Sequence, residues 1–291
     1  MRRLLTLLLA ATAGAGPVSF GSLKILAGVR EAGMGGVGVA SANGPQAVVW
    51  NPCATAGISG FAATASYAKW LLDTHHQSLF VARDLRLVAL GLGITSFTAG
   101  EFEYRIGPTE DPIGTFTPSE LSFYLNLARP IGDMVQFGLT GRYFYSHIMD
   151  ENASGMGIDV GVRVRPLERF VVGASIVDFG KTVSYIREVV WLPARGRLGV
   201  GYDLLPFDNG RLTMSADGEF FIYTKEPDVR IGAEAAWREL ALRFGYSLLS
   251  TNHLALGMGI RLKDILGIDY SFAPFGSDLG TVHRLSVGIG R

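Results

Sequence analysis

The sequence predicts an all-β protein, a 14-stranded antiparallel transmembrane β-barrel that carries an N-terminal hatch segment. Three observations predict it. From Phe61 onward, apolar residues recur at every second position over segments of about ten residues, the period of a strand with two different faces. Charged residues make up only 18% of the 291-residue chain, against about 25% in an ordinary soluble domain. Beyond the N-terminus there is no run of about 18 apolar residues, so a membrane would have to be crossed by strands.

The elements follow in order. Residues 1–15 read as a signal peptide: Arg2 and Arg3 precede the apolar run Leu4 to Ala13, and Ala13-Gly14-Ala15 supplies small residues for cleavage. Residues 16–60, the expected hatch, lack alternation and are rich in Gly, Ala and Val. Residues 61–291 hold the barrel, with alternating segments starting near 61, 76, 86, 120, 134, 155, 169, 194, 211, 228, 239, 253, 265 and 282. That leaves about sixteen residues per strand and connection, room for the roughly 9–11 that a tilted strand needs to cross a bilayer. The even number lets an antiparallel barrel close with both ends on one side.

Period two alone fits a soluble sandwich as well, with the apolar face inward, and the connections favour the barrel. Every second one is short ("RDLR" at 83–86, "RPIGD" at 129–133, "RPLER" at 165–169, "WREL" at 237–240, "RLKD" at 261–264), whereas the others include the long stretches 99–118 and 179–193. Short periplasmic turns opposite long outer loops mark an outer-membrane barrel. The connection 204–210 is longer than this rule expects. On that assignment Val160, Ile231 and their apolar neighbours face lipid, and the lumen-facing candidates are Arg163, Arg165, Arg197, Asp217, Glu219, Arg230, Glu234, Arg243, Arg261, Asp269 and Arg284. Trp70, Tyr145, Trp191, Tyr223, Tyr246 and Phe272 fall near outer strand ends, and Tyr202 and Trp237 near inner ends, as interfacial girdles would require.

A barrel of fourteen strands is too wide for its own side chains to fill, since about eight strands already reach that limit. The segment 16–60 is the candidate to close it. Its stretch "REAGMGGVGVASANGPQAVVWNPC" contains G-x-G-x-x-G at Gly33, Gly35 and Gly38. A dinucleotide loop would follow a buried strand, open a long helix and meet an acidic residue about twenty positions on. Here Pro45 interrupts any long helix, and no Asp or Glu occurs between Glu31 and Asp73. The glycines instead suit tight turns and close backbone approach within a narrow barrel.

The same residues carry a resemblance. "GVREAGMGGVGVASANGPQAVVWNPCATAG" resembles the N-terminal signature of the PorV/PorQ family and the related FadL-like outer-membrane barrels, through Arg30, Met34, Gly35, Gly36, Trp50, Asn51 and Pro52. Cys53 stands where alanine is usual in the family. "LPARGRLGVGYD" at 192–203, "ALRFGYS" at 241–247 and "IDYSFAPFGSDLGTVHRLSV" at 268–287 resemble further family segments. The terminal "LSVGIGR" lacks the final aromatic common in outer-membrane barrels, so recognition for assembly would rest on Leu285, Val287 and Ile289. The resemblance implies passive transport of hydrophobic small molecules such as long-chain fatty acids across a Gram-negative-type outer membrane. Its alternative is binding of cargo or partner proteins at the cell surface in a type IX secretion system.

Enzymatic readings lack a constellation: there is no G-x-S-x-G, H-E-x-x-H or P-loop. His75, His76, His147, His253 and His283 all map to outer strand ends without metal-ligand spacing, although His283 and Ser286 lie close in sequence. The single cysteine excludes a disulfide framework, and zero net charge gives no electrostatic reason to expect nucleic acid. No enzyme and no cofactor is expected. The expected partners are outer-membrane lipid, a hydrophobic small molecule and, on the alternative reading, secretion-system proteins.

Overall fold

A computed structural model describes residues 20–25, 27–108, 111–183, 189–204, 210–249, 253–263, 265–275 and 280–290. The expected signal peptide, residues 1–15, lies outside them. Among the described residues, fourteen strands form the barrel wall, with a fifteenth, short strand of the same sheet (Val189–Trp191) paired on the outer end of the seventh: β1 (Phe61–Lys69), β2 (His75–Asp84), β3 (Ala89–Thr98), β4 (Ser119–Ile131), β5 (Val135–Ile148), β6 (Glu151–Leu167) and β7 (Phe170–Val183). They continue as β8 (Arg195–Asp203), β9 (Gly210–Phe221), β10 (Pro227–Trp237), β11 (Leu240–Ser247), β12 (Leu254–Leu262), β13 (Leu266–Phe275) and β14 (Gly280–Gly290). Each pairs antiparallel with its sequence neighbour, and β14 pairs with β1 from Ala62↔Gly290 to Lys69↔His283. The sheet is therefore closed, with no free edge to template aggregation.

The burial alternation settles which face is which. On β9, Thr213, Ser215, Asp217 and Glu219 are buried, while Met214 and Phe220 are 53% and 46% exposed. On β6, Asp159 is buried and Met156, Ile158 and Val160 face out. Charge inside and Leu, Ile, Val and Phe outside invert the rule for a soluble core. An outward apolar belt of this extent needs lipid to cover it. Among the described residues, no helix is long and apolar enough to cross a membrane.

The strand starts fall within four residues of the sequence expectation, and the largest difference is instructive. β6 starts at Glu151, not near 155, because β5 and β6 continue as a hairpin joined by only Met149 and Asp150, with Met149 at φ 54°. Thus one connection on the long-loop side is short. The loop 99–118 folds back as a two-stranded hairpin, Phe102–Tyr104 with Gly114–Phe116. A second irregularity sits in β7, where the register slips between the pairs Ile158↔Phe179 and Val160↔Ile176. Val177 and Asp178 are both buried and Asp178 has φ 59°, so a bulge reverses the phase of the strand.

Most girdle aromatics behave as expected: Tyr202 and Trp237 are 45% and 50% exposed, and Trp191 is 39% exposed. Trp70 does not. It turns inward over Arg284, 4.8 Å from ring centroid to guanidinium, because it continues the inward phase of Ala62 and Ala68 on β1. The histidines divide. His76 is buried, whereas the imidazoles of His75 and His283 each share a 2.7 Å hydrogen bond with a neighbouring tyrosine, Tyr67 and Tyr270. His283 is exposed and Ser286 is buried on the opposite face, so the two form no hydrolytic pair. Among the described residues, no cluster of His, Cys, Asp and Glu is arranged to hold a metal.

Candidate functional site

The described part of residues 20–60 lies within the barrel, running from its outer end to the periplasmic mouth and partway back. Phe20 and Leu23 pack with Phe144, Ala153 and Leu192 near the outer end. The chain then passes a short helix, α1 (Val29–Gly33), and reaches the periplasmic mouth at Ala40–Gly44, beside Arg163, Arg165, Arg169 and Arg211. It returns through a 3-10 turn, Pro45–Val49, whose Val48 packs on Phe80 and Tyr124 of the wall. A final 3-10 turn, Pro52–Gly57, leads down to β1.

The motif residues are where this segment meets the wall. Arg30 makes a two-toothed contact with Glu234 of β10, Nε to Oε2 at 2.9 Å and Nη2 to Oε1 at 2.8 Å. Burial opposes its charge, but Glu234 outweighs burial and holds the guanidinium above its ordinary value. Glu31, fully buried beside it, is pushed up by burial, with Arg30 only partly offsetting the rise. Met34 is buried against Gly232 and Gly245. Gly35 has φ 74°, and a β-carbon there would lie 2.8 Å from the backbone nitrogen of Tyr246, so both its conformation and its closeness to β11 require glycine. Gly36 also has positive φ, 87°.

The G-x-G-x-x-G stretch does bind an anion, but one supplied by the barrel. The N–H groups of Gly38 and Val39 donate to one carboxylate oxygen of Asp217 on β9, at 2.6 and 2.9 Å. Two adjacent amides cradle a carboxylate as they would a phosphate. Trp50 packs against Gly38 and lies under Arg197, 5.4 Å from the guanidinium, and its carbonyl accepts from Ser175. Asn51 caps the last 3-10 turn by accepting from Cys53 N–H at 3.2 Å. Its amide nitrogen donates to Val39 and Val162 carbonyls at 2.9 and 3.1 Å. Pro52 supplies the fixed φ at the first position of that turn and offers its carbonyl to Asn126 at 2.9 Å. Gly138 and Gly161 lack side chains where Pro52 and Asn51 press on the wall. Cys53 is fully buried, and burial pushes its thiol up to about 11 against the lowering effect of Arg163.

Of the lumen candidates, most join two networks. Arg30, Glu234, Arg243 and Asp269 form one chain of ion pairs, closed by Arg243 to Asp269 at 2.6 Å. Arg197 and Arg230 pair with Glu219, and Arg230 also with Asp228. Arg163 instead donates to the carbonyl of Ala42 at 2.8 Å. Arg165 and Arg261 are exposed at the periplasmic rim, and Arg165 lines the cavity at the mouth of the lumen. Arg284 is buried. The sequence gives no signal for a further group: Arg142 and Arg195 clamp Asp178, with Asp159 beside them. Period two sends Asp178 to the lipid face, and only the bulge turns it inward.

The space left in the lumen is divided. One cavity of about 30 Å³ lies between Ile25, Trp50, Glu120 and Arg142, room for about two waters. Another of about 160 Å³ lies under Trp70, and one of about 260 Å³ opens at the periplasmic mouth.

A closed fourteen-stranded barrel with a lipid-facing apolar belt and a charged lumen defines an outer-membrane protein of a Gram-negative-type envelope. Comparison with solved structures gives the nearer class, the FadL-like barrel fold. The Pseudomonas putida toluene transporter TodX matches with a TM-score of 0.63 at 12% identity, covering 90% of this chain and 96% of that one. The Ralstonia pickettii toluene transporter TbuX matches with a TM-score of 0.62 at 13% identity, covering 90% and 97%. A Pseudomonas aeruginosa FadL homologue gives 0.57 at 12% identity, covering 94% and 99%. No protein-family model matches the chain. No curated protein matches it either.

Proposed function

We propose that the protein is a passive conduit for hydrophobic small molecules across the outer membrane, with residues 16–60 as its hatch and no chemistry on the substrate. The observation that carries this reading is the way the segment is held. It fills the lumen through a few localised polar latches (Arg30 on Glu234, Asp217 on the Gly38 and Val39 amides, Asn51 on Val162) set among glycines of the wall. Buried ion pairs contribute little net stability compared with apolar packing of the same volume, yet they fix one position. The latches set the position of the segment, and apolar contacts through Phe20, Leu23, Val48 and Trp50 add to its hold. The likeness to toluene transporters and a FadL homologue supports hydrophobic cargo, and the resemblance of the N-terminal signature extends this to long-chain fatty acids.

Uptake of radiolabelled toluene and oleate by cells lacking their own transporter tests the proposal. Faster entry of either on expression is expected, and unchanged entry of both overturns it. A second reading, surface binding of cargo or partner proteins in type IX secretion, draws on the PorV/PorQ-like signature and on one structural feature. The outer hairpin of loop 99–118 holds Ile106 and Ile113 at 77% and 59% exposure, beyond the barrel wall. On that reading deletion of residues 102–116 abolishes cargo release and leaves the barrel intact.

A further inference from the structure

Among the described residues, Arg284 is a buried cation that stands outside the ion-pair networks and, unlike Arg163 on the Ala42 carbonyl, has no acceptor. Arg30, Arg142, Arg195, Arg197, Arg230 and Arg243 each sit against a carboxylate. Arg284, on the inward face of β14, is 3% exposed, and among the described residues none of its Nε, Nη1 and Nη2 atoms has a hydrogen-bond partner. A guanidinium carries five donors and keeps its charge, so burial without an acceptor is costly. The surroundings give the chemistry of the missing acceptor. Arg284 lies 4.8 Å from the Trp70 ring, Trp70 meets Phe275 edge-on at 5.6 Å, and the three border the cavity of about 160 Å³. Lys24 lines the same cavity and adds a second cation, with its ammonium 4.9 Å from the Phe221 ring. Arg230, also in the lining, is already engaged by Asp228 and Glu219.

Size and charge together narrow the occupant. A cavity of about 150 Å³ holds one benzene ring, and a guanidinium fork reads a carboxylate through two parallel hydrogen bonds. We propose that the cavity under Trp70 binds a single-ring aromatic carboxylate of benzoate size, its carboxylate on Arg284 and its ring against Trp70 and Phe275. The site rests on the conduit reading and narrows it, from hydrophobic molecules in general to anionic aromatic acids.

Equilibrium dialysis of the full-length protein in detergent, with benzoate, benzyl alcohol and inorganic phosphate as probes, tests this. Benzoate is expected to bind saturably and at least tenfold more tightly than either other probe. Arg284→Met should weaken benzoate at least tenfold, Arg284→Lys should restore part of the loss, and Arg261→Met at the periplasmic rim should change nothing. Heat-modifiable migration on gels checks that each variant keeps its barrel, and the comparison of probes on the unmodified protein needs no variant. Equal binding of benzyl alcohol removes the guanidinium from the account, equal binding of phosphate reduces the cavity to a general anion site, and absence of benzoate binding overturns the proposal. Uptake of toluene or oleate that persists without benzoate binding rejects this site alone. Benzoate binding without any uptake rejects the conduit and retains the site.

Discussion

Removal of the Arg30–Glu234 contact should release the hatch, and Cys53 reports the release. The pair is held by two hydrogen bonds, with side chains 11% and 4% exposed. Loss of one member of a buried pair costs about 3–5 kcal/mol, chiefly because the other charge is stranded. Glu31 remains beside Arg30, and Asp269 beside Arg243, so the lower end applies, about 3 kcal/mol. At 1.4 kcal/mol per factor of ten, the undocked population rises about 10²-fold. Cys53 is the only cysteine and is fully buried when docked. Burial also holds its thiol well above the ordinary value, which suppresses the reactive thiolate until the segment leaves. The maleimide labelling rate in detergent, with the barrel verified by gel migration, therefore follows undocking. Arg30→Met and Glu234→Gln should each accelerate labelling about 10²-fold. The double variant should label about as fast as Glu234→Gln alone, since the shared contact can be lost only once. Rates unchanged in both single variants, or multiplied independently in the double, would refute the latch.

Other expectations follow from the same contacts. Arg in place of Val160 or Ile231, which are 39% and 47% exposed on the lipid face, should cost about 2–4 kcal/mol near the bilayer centre. Urea unfolding in lipid vesicles measures this, and Leu at the same positions should be tolerated. Gly35→Val forces a branched side chain into positive φ and against Tyr246, so it should raise Cys53 labelling without altering barrel migration. The raised Glu31 carboxyl makes docking take up a proton. Docking is thus strongest below the ordinary carboxylate value and weakens as pH rises through the raised one. Glu31→Gln should flatten that dependence in labelling rates referenced to the unfolded chain.

The barrel was legible because lipid outside and charge inside impose alternation on every strand, so Met214, Phe220, Asp217 and Glu219 declared their faces by position. Segment counts followed from the same rule, and the starts near 61, 211 and 239 came within one residue. Arg30, Gly35 and Asn51, in the segment proposed as the hatch, were legible only as a motif. Their partners Glu234, Tyr246 and Val162 lie about 110 to 210 positions away, and no local pattern encodes such a pairing. Asp178 was illegible because a bulge changes the phase of β7 without changing its composition. Trp70 lies near the outer strand end as expected, but its phase, that of the buried Ala62 and Ala68, points it into the lumen and not to the interface. Arg165 and Arg261 had the right phase but lie at the rim, where they stay exposed.

On the proposed function, the segment ending at β1 closes a lumen too wide to close itself. Planar-bilayer conductance of the full chain and of a variant lacking residues 20–57 tests it most directly, with gel migration confirming that both barrels are folded. The account predicts a low conductance for the full chain and a large, steady conductance for the deletion. Equal conductance in the two would mean that the wall closes the lumen by itself and would contradict the hatch.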